Sequence, residues 1–186
     1  MNRAAPLLLV AGLLVGCASG GGSPSRSGLG QLFSTEAALR YALSDVCVPA
    51  ILNGQAPEAL ALRPQAMAVD ATDNGGSPGE RVWFTGSGVY VYADQLGNCT
   101  VRTCGGDART QDRIVAEILS TGGFTTAPQS PPGNARMDRR LLCRVGPPTA
   151  GVLVSVRRDG AADTPPVQVS VFAVGPGSES RCQTAP

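Results

Sequence analysis

Arg81–Thr121 reads RVWFTGSGVYVYADQLGNCTVRTCGGDARTQDRIVAEILST, and it sets the fold class. Arg81–Thr85 and Val89–Ala93 are rich in Val and aromatics and flank Gly86-Ser87-Gly88, the pattern of two strands joined by a tight turn. Asp94–Asn98 turns the chain again into a third strand, Cys99–Cys104. Asp107 is then placed to cap a helix over Ala108–Thr121, with Ile114, Val115, Ile118 and Leu119 on one apolar face. Gly122-Gly123 ends it. Strands followed by a helix on a short connection predict an antiparallel sheet covered by helices.

The same logic extends in both directions. Upstream, Ser34 or Thr35 can cap a helix whose first turn carries Glu36. Leu39, Leu43, Val46, Cys47 and Ala50 recur at spacings of three and four; Pro49 is expected to kink or end this helix, and Asn53-Gly54 to stop it. A short helix is expected over Pro57–Leu62, then a loop at Asp70–Glu80. Downstream of a loop at Thr125–Asn134, three more strands are expected: Met137–Val145, Val152–Arg158 and Val167–Val174. In the last, Val167, Val169 and Val171 alternate with Gln168, Ser170 and Phe172. The fold class is therefore α+β, two helices on antiparallel sheet in the order α-βββ-α-βββ. That order fits a pseudo-duplication, or halves that merely share an order; residue identity between them is too low to count as a repeat.

Residues 31–186 form one expected domain, a length one core can organise. All 15 basic residues are Arg, and His is absent. Without His there is no Ser-His-Asp or Cys-His pair and no imidazole ligand; without Lys there is no Schiff base and no P-loop. A net charge of +1 gives no electrostatic reason for a nucleic-acid partner. Neither a metal nor another cofactor is expected.

The N-terminus reads as an address. Arg3 precedes the apolar run Leu7–Val15. As a helix that run covers about 14 Å, under half of a bilayer's roughly 30 Å core, so its layout is that of an export signal. Leu14-Val15-Gly16-Cys17 resembles the lipobox of bacterial lipoproteins. The resemblance implies a signal peptide at 1–16, removed before Cys17, and diacylglyceryl and acyl groups on Cys17. It also implies a membrane partner reached through the N-terminal lipid. Ala18, where an Asp would retain the protein at the inner membrane, implies the periplasmic leaflet of a Gram-negative outer membrane. The Gly/Ser-rich stretch to Gly30 then reads as a tether reaching roughly 20 Å, so 17–30 is lipidated cysteine plus spacer.

An exported chain meets an oxidising compartment, where thiols pair. Withdrawing Cys17 leaves Cys47, Cys99, Cys104, Cys143 and Cys182, an odd set. Cys47–Cys99 and Cys143–Cys182 are the expected bridges, although sequence alone leaves connectivity open. Cys104, at a helix start, is the expected free thiol, as a spare or as a reactive group.

Other features have plain readings. Gly105-Gly106 before a helix could cradle a phosphate, but Asp107 would put a carboxylate where the anion must sit. The Asp70–Glu80 loop has Gly75 where an EF-hand needs it, but Arg81 where the bidentate acid belongs. Arg139-Arg140 and Arg157-Arg158 each send one side chain to either face of a strand. Trp83, Tyr90 and Tyr92 could face a sugar or peptide ligand, or fill the core. Together these observations predict a binding or accessory envelope protein with a protein or peptide partner. The competing expectation is an envelope enzyme using carboxylates or Cys104 on a cell-wall or thiol substrate.

Overall fold

The computed structural model describes residues 34–61, 65–159, 164–175 and 182. The chain is a mixed α/β protein with one eight-stranded antiparallel sheet and a few helices. The export signal and tether, residues 1–30, lie outside the described residues. Among the described residues no helix is long and apolar enough to cross a membrane.

The first helix is continuous but changes register: α1 (Thr35–Arg40), a π-helical run (Tyr41–Cys47) and α2 (Val48–Asn53). The Ser34 hydroxyl accepts the Ala37 N–H, so the cap sits where the sequence predicts. Pro49 neither ends nor breaks the helix. The Val48 N–H donates five residues back to the Leu43 carbonyl, and this wider register brings the chain to Pro49, which has no N–H to lose. Gly54 then stops the helix in the left-handed region at φ 61°. Leu39, Leu43, Val46, Cys47 and Ala50 are all buried, so the apolar stripe works as read. α3 (Pro57–Ala61) follows, and α4 (Ala108–Thr121) packs beside the first helix on the same side of the sheet.

The strands are β1 (Met67–Val69), β2 (Arg81–Gly86), β3 (Val89–Ala93), β4 (Cys99–Thr103), β5 (Thr125–Thr126), β6 (Met137–Arg144), β7 (Ala150–Arg157) and β8 (Val167–Ala173). Their lateral order is β1-β2-β3-β4-β8-β7-β6-β5. Each half is thus a helix and four strands, not the three expected, because β1 and β5 add a short edge at either side. The two four-stranded meanders meet at β4 and β8, where Cys99 pairs with Val171 and Val101 with Val169.

One sheet face lies under the helices. Val89, Val91, Cys99, Val101, Val152, Val154, Val167, Val169 and Val171 are wholly buried there against Leu39, Leu43, Val46, Val115 and Leu119. Each such side chain contributes roughly 1.5–3 kcal/mol by leaving water. The Cys47–Cys99 disulfide ties the π-helical run to β4 from inside this core. A polar bridge completes it: Gln111, 1% exposed, accepts from the Thr103 hydroxyl at 2.7 Å and donates to the Gly105 carbonyl at 2.6 Å.

Candidate functional site: the helix-free sheet face

Side chains on a strand alternate between faces, so each position opposite a core valine points away from the helices. Register then assembles rows across that second face. Phe84 pairs with Tyr90, Tyr90 with Arg102, Arg102 with Gln168, Gln168 with Ser155, and Ser155 with Arg139. A parallel row runs Val82, Tyr92, Thr100, Ser170, Leu153, Leu141.

One end of this face is covered twice. Over β2–β4 the 70–80 loop folds down: the Tyr92 hydroxyl donates to the Asn74 carbonyl at 2.7 Å, and Arg102 donates to the Gly75 carbonyl at 2.8 Å. Over β6–β8, Ala127, Leu141, Cys143 and Cys182 make a second small core with Phe172 and Val174, closed by Cys143–Cys182. In the row from Phe84 to Arg139, Ser155 is buried at 7% exposure and Arg102 is partly covered by the 70–80 loop. Phe84, Tyr90, Arg102 and Gln168 are half-buried and Arg139 is exposed.

Arg102 is its centre. The guanidinium lies 4.4 Å from the Tyr92 ring centroid, a cation–π contact, and its Nε is buried without a hydrogen-bond partner. Beside it Thr100 donates to the Ser170 hydroxyl at 2.9 Å. Phe84 and Tyr90 hold their rings 5.2 Å apart, tilted by 49°, and Tyr90 and Tyr92 lie 6.5 Å apart. Burial pushes both tyrosine pKa values up, Tyr92's only partly offset by Arg102, so both phenols stay protonated donors at neutral pH.

The expected site residues separate. Tyr90 and Tyr92 reach the helix-free face together. Trp83 does not join them: it pairs with Val91, is 4% exposed, and fills the core under the helices. Its odd position relative to Val82 and Phe84 decides this. Cys47–Cys99 and Cys143–Cys182 are bonded as expected, with Cα atoms 5.3 and 5.5 Å apart. Cys104 is corrected: it is disulfide-bonded, not a free thiol. Cys104 sits exposed just past β4. Cys17 itself lies outside the described residues.

Asp107 caps α4, its carboxylate accepting the Thr110 N–H at 2.7 Å. Asp70 spends its carboxylate on the Thr72 and Asp73 N–H groups and the Thr72 hydroxyl. The paired arginines split as strand geometry requires: Arg140 meets Asp112 on α4, whereas Arg139 points to the helix-free face. Phe84, Thr100, Arg102 and Ser155 were not singled out by sequence reading. The usable signal was their alternation with Trp83, Cys99, Val101 and Val154. Compared with protein-family models, curated proteins and solved structures, the chain matches none.

Proposed function

We propose that this chain is a lipid-anchored envelope protein that works by binding, through the helix-free face of its sheet, and not by turnover. The anchor is Cys17, whose sulfur as a lipid thioether can form no disulfide, so the lipidated form is one in which that sulfur is not paired with Cys104; the tether is 17–30, and the body faces the periplasm from the outer membrane. Leu14-Val15-Gly16-Cys17 supports the placement, and two disulfides suit an oxidising compartment. The binding reading is carried by the aromatic and polar positions Phe84, Tyr90, Arg102, Gln168 and Arg139, which share the helix-free face and none of which is fully buried. The matching meanders on either side of the β4–β8 seam support an internal duplication, in which two helix-plus-four-strand units share one binding face.

Catalysis by carboxylates draws no support. Glu117, Glu58, Asp159, Asp112 and Asp138 are held by arginines, and Asp70, Asp94 and Asp107 by backbone N–H groups.

Two measurements test the proposal. Alkyne fatty-acid labelling should mark the wild type and not Cys17→Ala; equal labelling removes the anchor. A photocrosslinking residue at Gln168 should capture an envelope component that the same group at Ser44, on the exposed side of the first helix, does not. Equal capture from both positions removes the face.

A further inference from the structure

Building on the binding reading, we infer that the helix-free face takes a linear glycan bearing carboxylates, laid across the strands along Phe84, Tyr90, Arg102, Gln168, Ser155 and Arg139. The six positions lie on six neighbouring strands, β2, β3, β4, β8, β7 and β6. Five strand intervals span about 24 Å, and one interval, roughly 5 Å, is about the length of a sugar ring. A glycan crossing the sheet at right angles to the strands therefore passes one row position per ring, with Ser155, 7% exposed, forming floor and not contact.

The chemistry along the row follows. Phe84 and Tyr90 offer ring surface to the apolar face of a sugar, and the tyrosine a hydroxyl beside it. Gln168 offers an amide for ring hydroxyls. Arg102 and Arg139 stand three strands apart with no acidic side chain between them in the row, so two carboxylates are complementary where neutral sugar is not. An acidic peptide fits less well. Peptides join sheets through unpaired edge groups, and on this face the β2–β3–β4–β8–β7–β6 backbone is paired within the ladder, leaving only side chains to recognise a ligand.

The test uses the full-length chain and three immobilised probes: an oligogalacturonate long enough to cover the row, its methyl ester, and poly-glutamate of matched charge. The uronate should bind, with the ester and poly-glutamate at least tenfold weaker. Arg102→Gln, Arg139→Gln and Tyr90→Ala should each weaken uronate binding about tenfold. Arg109→Gln, on the exposed surface of α4, should leave it unchanged. Arg139 is exposed, so its variant keeps the test sharp should Arg102→Gln fail to fold. Poly-glutamate binding as tightly as the uronate, or no uronate binding at all, overturns the glycan assignment; crosslinking from Gln168 then still judges the face. Uronate binding unmoved by Arg139→Gln and Tyr90→Ala overturns the row as its site.

Discussion

Val101 of β4 pairs with Val169 of β8 at the seam between the two meanders, and neither side chain reaches solvent. This contact joins residues 68 positions apart in the chain, and around it the halves have matching strand order. Each Val→Ala change removes two buried carbons and leaves a cavity, so each should cost roughly 2 kcal/mol. Because the side chains are neighbours, the double variant should differ from the sum of the singles by 0.5 kcal/mol or more, on the order expected for contacting residues. Urea unfolding of the four proteins measures this; strict additivity would mean that the seam is not a packed contact.

The two disulfides should differ in what they hold. Cys47–Cys99 closes 52 residues and lies wholly inside the main core, so replacing both by Ala should lower global stability by about 2–4 kcal/mol. Cys143–Cys182 closes 39 residues but binds a small separate cluster. Its loss should release that cluster by local opening, with hydrogen exchange rising around Leu141–Cys143 while exchange in β3 and β4 is little changed. Uniformly faster exchange in both variants would contradict the division.

What the sequence made legible was local. The Asp107 cap, the apolar face of α4 and the alternation of β8 are each written within a few residues, and each is found where expected. β1 and β5 were not legible, because edge strands of three and two residues are defined by the partner they pair with. The seam was equally hidden: nothing in Cys99–Thr103 names Val167–Val171 as its neighbour. Consequently Arg102 and Gln168, unremarkable on their own strands, became a site only once β4 and β8 lay side by side. Trp83 took the core alternative for the converse reason, since an aromatic near two others along the chain can face the other side of the sheet.

Gly106 and Gln111 make a pair whose variants should behave differently. Gly106 has φ +90° and a Cβ there would come 2.5 Å from the Gln111 amide nitrogen. Gly106→Ala therefore meets both a backbone penalty and a clash with the group that satisfies Thr103 and Gly105. Gln111→Ala removes the clash but strands the Gly105 carbonyl, at about 1–3 kcal/mol. Combining them should cost less than the two singles added, because the collision is gone. Thermal or urea unfolding checks the cycle, and a fully additive double variant would show that the two residues do not meet.

Acid should loosen α4 from its N-terminus. The Thr110 N–H and hydroxyl hold the Asp107 carboxyl below its ordinary 3.8, with lesser help from Arg109 and Arg113. A depressed folded-state pKa means that the unfolded chain binds the proton more readily. The stability linked to Asp107 is thus fully present above 3.8 and drains away as pH falls through the folded value. Asp107→Asn keeps a capping oxygen without the charge, so its stability should fall less steeply below 3.8 than the wild type's. Near neutral pH it should be slightly less stable, having lost a favourable charge at the helix N-terminus. Urea midpoints measured across the acid range decide the matter: parallel curves for the two proteins would place the acid sensitivity elsewhere, with Asp70 and Glu117 the next carboxylates to replace, since hydrogen bonds lower both their pKa values as well.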